Sequence, residues 1–445
     1  MSLSIKLLQL AGTVMSVKGN EVPSGRVNLI SLCSSLIAFF LTLFGSAYAE
    51  GLNLQDLISE ALKNSPEILA SQSRVSASRY RIPQAKSLPD PMFMFGYQNE
   101  GWKKYTYGKS PDAQWMFSAS QMVPFPGKLS IKEEMASRES ESLQSSYDSM
   151  RLKTVTRVKE LYYDLFLAYK NIDLIRDRIA LFSMIEDAAI ARYSSGMGLQ
   201  QEVLMAQTEK YMLLEKEEMQ KQKIQSLEAM LNTTVGRDAT SPLGRPSEPL
   251  LRAYTRSMDE MIKMAHENSP EIKSRAKIVA LAEARVKLAE REYYPDFTLN
   301  ASVFTRAGEF EDMWSLTTTI NIPLFYKTKQ KQAAYEARAS LSEARNELEA
   351  TKLMLSSNIR DNYSMLSTAQ RLMELYRDGL IPKTHQDFES ALAGYVTGKV
   401  EAITVISRLK ALLDFETSYW GQFVEREKAA ARLEALAGIM ESGGR

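Results

Sequence analysis

Phe297-Thr-Leu-Asn-Ala-Ser-Val303 alternates apolar and polar residues, and Trp314 to Ile322 does likewise with Ser315, Thr317, Thr319 and Asn321 on one side. A period of two is that of a pleated strand. Met92 to Gln98 and Trp115 to Met122 are less regular, yet they set Phe93, Phe95 and Tyr97, then Trp115 and Phe117, on alternate positions. Strands are therefore predicted at about 91–99, 114–123, 296–305 and 313–322. The pattern elsewhere has the helical period. No glycine or proline falls between Gly127 and Gly196, and Val155, Val158, Leu161, Tyr162, Leu165, Tyr169, Ile172, Ile175 and Ile179 recur there at helical spacing. An unbroken helix of that length spans roughly 100 Å at 1.5 Å per residue. A matching stretch from Lys327 is expected to break at Gly379 and Pro382 and to resume toward Tyr395. Return helices are expected at about 200–231 and 401–437. Helices this long without caps point to coiled-coil packing.

The pattern occurs twice. Leu54-Gln-Asp-Leu-Ile-Ser-Glu-Ala-Leu-Lys-Asn-Ser-Pro-Glu-Ile68 is echoed by Met258-Asp-Glu-Met-Ile-Lys-Met-Ala-His-Glu-Asn-Ser-Pro-Glu-Ile272. Each copy then reaches a Pro-Asp step (Pro89-Asp90, Pro295-Asp296), two strands, a proline (Pro124, Pro323) and a Tyr-x-x-Gly turn (Tyr193 to Gly196, Tyr395 to Gly398). A repeat of about 200 residues exceeds the roughly 20–50 of solenoid units and suggests a duplicated half-domain packed on its copy. The chain divides into a leader and signal (1–49), a first repeat (50–250), a second repeat (251–438) and a tail (439–445).

Composition narrows the function. The net charge of +1 leaves no basic excess for nucleic acid. Arg26, the apolar run Leu29 to Phe44 and Ala47-Tyr48-Ala49 before Glu50 have the form of a cleaved export signal, and the run is short for a membrane anchor. The leader ahead of Arg26 is long, so translation starting at Met15 is an alternative. Cys33, the only cysteine, lies in that signal, so the mature chain has no disulfide or thiolate site.

An exported chain with no apolar helix can enter a membrane only as a β-barrel. Strands of about ten alternating residues flanked by aromatics fit that, and a soluble hairpin buried against a helix is the competing reading. Asn99 to Asp112 and Arg306 to Met313 read as exposed hairpin loops, leaving all helices on the other side. Four strands cannot close a barrel; three chains would supply about twelve and enclose a water-filled lumen.

The ordered set of motifs resembles the TolC family of outer-membrane efflux proteins over about Leu52 to Ala437. The set comprises the Asn-Ser-Pro-Glu-Ile openings, the Pro-Asp steps, Val123-Pro-Phe-Pro-Gly127, Ile322-Pro-Leu-Phe325, and the Tyr-x-x-Gly turns followed by Glu202 to Gln207 and Val405 to Arg408. The resemblance implies a mainly α fold with transmembrane β-strands: a homotrimer whose twelve-stranded outer-membrane barrel continues into a periplasmic α-helical barrel. It also implies a periplasmic adaptor and an inner-membrane pump, often of the resistance-nodulation-division type, as partners. Type I protein secretion differs only in the inner-membrane partner. A soluble periplasmic adaptor or scaffold is the reading from another class.

Under the resemblance the turns become adaptor-docking tips: Gly196, Met197, Gly198 and Leu199 in the first repeat, Gly398, Lys399 and Val400 in the second. Gate candidates are Tyr395 and Glu401, with Thr404 and Ser407 standing where some members carry paired aspartates. Without the resemblance the glycines merely end helices and Glu401 is an exposed carboxylate. No enzyme motif is present: His266-Glu267 lacks a second zinc histidine, and the Gly127-Lys128 and Gly398-Lys399 pairs lack Walker spacing. No cofactor is implied. The 22 methionines include potential thioether ligands for copper(I), although scattered methionines are ordinarily core filler. Phe125-Pro-Gly-Lys-Leu129 and Leu199-Gln-Gln-Glu-Val203 resemble the heavy-metal branch of the family.

Overall fold

The structure, a computed structural model, describes residues 51–250 and 253–440. The export signal, its cleavage step and Cys33 lie outside these residues. Two short helices, α1 (Leu54–Asn64) and α2 (Pro66–Lys86), lead into β1 (Met92–Gln98) and β2 (Gln114–Val123). The 67-residue α3 (Lys128–Ser194) and α4 (Gln200–Val235) follow as a hairpin. The same order then repeats: α5 (Met258–Asn268), α6 (Pro270–Arg291), β3 (Asp296–Thr305), β4 (Met313–Asn321), α7 (Gln330–Leu375), α8 (Ile381–Val396) and α9 (Ala402–Leu436).

The helix expected to break at Gly379 and Pro382 does not break. Pro382 has no N–H to donate and its ring crowds the carbonyl four residues back. The backbone answers with one wide turn, Tyr376–Leu380, in which the Ile381 N–H bonds the Tyr376 carbonyl, so α7 runs into α8 through a π-bulge.

Helix α3 lacks a single apolar stripe because it has neighbours on many sides: α1, α2, α4, α6 and α9 all pack on it. Its lower part carries one core cluster with Leu57, Ala61, Val158, Leu161, Leu165, Leu231 and Val235; a second, with Phe182, Ile185, Phe388, Tyr395, Val405 and Leu409, joins the two hairpins. Antiparallel α3 and α9 are also laced by Lys159–Glu434 (2.6 Å), Glu160–Arg432 (2.6 Å), Asp164–Lys428 (3.0 Å) and Arg178–Glu416.

The repeated Asn-Ser-Pro motif has a packing reason. The residue before a proline is pushed out of the helical region, so Ser65 and Ser269 sit at ψ near 122–123° and turn the chain between two helices. The helix end so exposed meets a glycine: a Cβ on Gly236 would lie 2.5 Å from the Asn64 carbonyl oxygen, and one on Gly438 would lie 2.7 Å from that of Asn268. Both glycines have positive φ. Gly196 has positive φ too, but open space around it. Gly196→Ala should therefore cost only the left-handed strain of about 1–2 kcal/mol. Gly236→Ala adds a backbone clash that no rotamer relieves and should cost clearly more, read as a larger fall in thermal midpoint. Equal midpoints for the two variants would refute the packing account.

The strands form one antiparallel sheet, order β1-β2-β3-β4, with β1 and β4 as open edges. Register sorts the residues onto two faces. Phe93, Phe95, Tyr97, Trp115, Phe117, Ala119, Leu299, Ala301, Val303, Trp314, Leu316 and Ile320 share one; Ser118, Ser120, Thr298, Asn300, Ser302, Ser315, Thr317 and Thr319 share the other. Phe93 is 81% and Trp314 79% exposed, and among the described residues no helix packs across either face. The competing reading of a soluble hairpin buried against a helix is thereby ruled out.

Candidate functional site: the hairpin tips

Both turns close in the same way, and the local sequence dictates it. Ser195 and Thr397 end their helices, and Gly196 (φ 73°) and Gly398 (φ 75°) enter the left-handed region that only glycine adopts freely. The N–H of Gly196 then bonds Tyr193 O (3.0 Å) and that of Met197 bonds Arg192 O (2.9 Å). In the second turn Gly398 bonds Tyr395 O (3.0 Å) and Lys399 bonds Gly394 O (2.8 Å). This is the paired bonding of a Schellman cap. The second turn is tighter, since a Cβ on Gly394 would meet Val400 Cγ2 at 2.5 Å.

The residues expected to form docking tips lie together, the two turns being joined through Arg192. Met197 and Leu199 are 72% and 66% exposed, Gly196, Gly398 and Lys399 are exposed, and Gly198 and Val400 are partly covered. Two large apolar side chains thus stand exposed at the first turn.

The gate candidates divide. Glu401 is the exposed N-cap residue of α9, Thr404 is half-buried, and exposed Ser407 donates its hydroxyl to Thr404 O (2.8 Å). Tyr395 differs: its side chain is wholly buried within the chain and presents nothing to open space. Its hydroxyl donates to Glu202 Oε2 of α4 (3.2 Å), and the Arg192 guanidinium lies 4.8 Å from its ring centre. Burial, reinforced by the Glu202 carboxylate and opposed by Arg192, pushes the hydroxyl up to about 12. Arg192 Nη1 donates to Tyr395 O (2.7 Å) and Nη2 to Met197 O (3.3 Å), so one guanidinium spans both turns. Arg192 and Glu202 thus join the site. The sequence signal for them was their place in the first repeat, Arg192 opposite Gly394 in the aligned turns and Glu202 three residues after Leu199.

Where β2 meets α3, Lys128 is almost completely buried. Its Nζ bonds Asp296 Oδ1 (2.9 Å), Glu292 Oε2 (3.3 Å) and Tyr294 O (3.0 Å), and the Phe125 N–H bonds the same Asp296 oxygen (2.7 Å). The Gly127-Lys128 pair and the Pro295-Asp296 step are two halves of one joint between sheet and helices.

No group of three or more His, Cys, Asp and Glu side chains among the described residues is placed to hold a metal, and no described helix is long and apolar enough to cross a membrane. A cleft of about 560 Å³ between α1, α3 and α9 contains Lys159, Arg426, Glu427 and Glu434, but these pair with protein groups.

A sheet with one face suited to lipid, continuous with two joined helical hairpins, is the architecture of an outer-membrane channel component. The comparisons with known proteins agree: residues 57–237 and 261–438 match the model of the outer membrane efflux protein family, and the chain belongs to that family. The cobalt-zinc-cadmium resistance protein CzcC of Cupriavidus metallidurans is 20% identical over 398 residues, covering 87% of this chain and 90% of that relative. Among solved structures, the outer membrane protein VceC of Vibrio cholerae superposes with a TM-score of 0.75 at 19% identity, covering 87% of this chain and 96% of VceC. The CmeC channel of Campylobacter jejuni gives 0.74 at 13% identity, covering 86% of this chain and 85% of CmeC. These likenesses establish the fold. The matched family is one of passive outer-membrane channels, not an enzyme family.

Proposed function

We propose that three copies close into one twelve-stranded outer-membrane barrel, continuous with a periplasmic tube of helical hairpins. The observation that carries this is the sheet itself: both edges, β1 and β4, are open, and one face is apolar and exposed. Unpaired edges are not tolerated in hydrocarbon, so each must find a partner strand. A second copy provides it, because β1 of one chain and β4 of the next are antiparallel edges of the same sheet.

The duct is the outer component of a tripartite efflux system. Its tips, with exposed Met197, Leu199 and Lys399 and partly covered Val400, supply apolar and cationic contacts for a periplasmic adaptor linked to an inner-membrane pump of the resistance-nodulation-division type. Similarity to CzcC supports metal ions as cargo. The purified mature chain in detergent should have the mass of a trimer, run as a heat-dissociable band and conduct ions across a planar bilayer. A monomeric, non-conducting protein would sink the proposal. Cargo is tested separately: a deletion strain with unchanged cobalt, zinc, cadmium, copper and silver tolerance removes metal export while leaving the channel intact.

A further inference from the structure

The polar face of the sheet carries five methionines. Met92, Met94, Met116, Met122 and Met313 fall in register with Ser118, Ser120, Asn300, Ser302, Thr317 and Thr319, opposite the aromatic face. The first four lie on β1 and β2 and follow one another up the ribbon. Met92 pairs with Ser120, diagonal to Met122; Met94 pairs with Ser118, diagonal to Met116; and Met92 and Met94 are two apart on one face. Diagonal neighbours lie roughly 7–8 Å apart, within reach of long side chains. Met116 leans across the strand, its methyl 3.4 Å from where a Cβ on Gly96 would stand. At the outer end Met116 pairs with Phe304, which pairs with Met313.

If the polar face lines the lumen, these methionines face water. Packing does not explain Met92 and Met94, which are 64% and 57% exposed, because the core-filling role of methionine needs a core; Met116 and Met122 are partly covered. Lipid does not explain them either, since lipid meets the other face. Thioethers at successive positions along a water-filled wall have one distinctive chemistry, the ligation of soft monovalent cations. The rows above Asp296 on this face offer no carboxylate, imidazole or thiolate.

We propose that Met122, Met92, Met94 and Met116 form a thioether line along the barrel wall that binds copper(I) or silver(I) and passes it outward by exchange between neighbours. This inference rests on the channel reading and gives its wall a binding site for soft monovalent ions. Oxygen- and nitrogen-seeking divalent ions such as zinc and cobalt would pass without binding the wall.

The test titrates the detergent-solubilised full-length mature trimer with silver nitrate in chloride-free buffer, with sulfur coordination read by X-ray absorption at the silver edge. The comparison is the quadruple variant M92L/M94L/M116L/M122L, which keeps shape and apolarity and leaves every other methionine in place. Saturable silver–sulfur binding in the wild type, its loss in the variant, and no zinc binding to the wall in either are expected. Equal silver binding by both proteins, or none by the wild type, overturns the proposal. The heat-dissociable band reports whether the variant folds; should it not, the pairs M92L/M122L and M94L/M116L are each expected to lose part of the binding, and undiminished binding by both overturns the proposal. A wild type that conducts ions but binds no silver retires this inference alone, whereas a non-conducting monomer retires the channel reading.

Discussion

Lys128→Met should lower the thermal midpoint of the folded protein by roughly 5 °C or more. The lysine ammonium is only 3% exposed and the Asp296 carboxylate 16% exposed. Removing one partner of a buried ion pair leaves the other charge without compensation in a poorly hydrated site, at a cost of about 3–5 kcal/mol. Asp296 would keep its bond from the Phe125 N–H, and Glu292 is sufficiently exposed to find water, so the loss falls chiefly on the Lys128–Asp296 contact. The joint holds strand β3 of the second repeat to helix α3 of the first, and its failure loosens the junction of the sheet with the helices. Lys153→Met, an exposed lysine farther along the same helix, is the control and should change stability by under about 0.5 kcal/mol. Thermal midpoints that fall equally in both variants would show that the buried pair contributes nothing special. Restoration by the double variant Lys128→Met with Asp296→Leu would support the account, since an apolar pair removes both desolvated charges.

What the sequence conveyed and what it withheld follow from the range of the interactions. The strands, the 67-residue helix and both turns rest on residues within a few positions of one another, so alternation, helical period and the Tyr-x-x-Gly signature reveal them. The wide turn at Tyr376–Leu380 was visible as a disturbance, but not as a π-bulge, because continuity depended on α9 packing alongside. Tyr395 shows the limit most clearly. The family resemblance made it a gate candidate, yet the direction of its side chain is set by Glu202, 193 positions away, and Arg192, 203 positions from the carbonyl it binds. Lys128 and Asp296 are separated by 168 positions. Each stood in a motif that could be read locally, and nothing local said that the two motifs meet. The duplication showed that the two turns are equivalent, but it aligns Arg192 with Gly394 and Glu202 with Thr404, so it did not pair either residue with Tyr395.

The second large effect is expected at those tips. Arg192→Met should raise the conductance of the channel in planar bilayers, because it severs the guanidinium that bonds Tyr395 O and Met197 O and faces the Tyr395 ring. A hydrogen bond from a charged donor to a buried carbonyl is worth about 1.5–3 kcal/mol, enough to shift the ratio of joined to separated hairpins by roughly ten- to a hundredfold. Tyr395→Phe removes only the hydroxyl bond to Glu202 and should act in the same direction by less. Because Arg192 and Glu202 both act on Tyr395, the effects of the two variants should not add, and a double-mutant cycle measures their coupling. The tyrosine also fixes a pH signature. Its hydroxyl titrates at about 12 with the hairpins joined and returns toward its ordinary 10.0 when they separate into water. The joined state therefore binds the extra proton between these values, so rising pH weakens it across roughly pH 10 to 12 and this group leaves it unaffected below that window. Wild-type conductance should climb on entering the alkaline window, and Tyr395→Phe should abolish that climb while starting from a higher baseline. A variant that conducts like the wild type at neutral pH and retains the alkaline rise would show that the Arg192–Tyr395–Glu202 contact does not hold the tip closed.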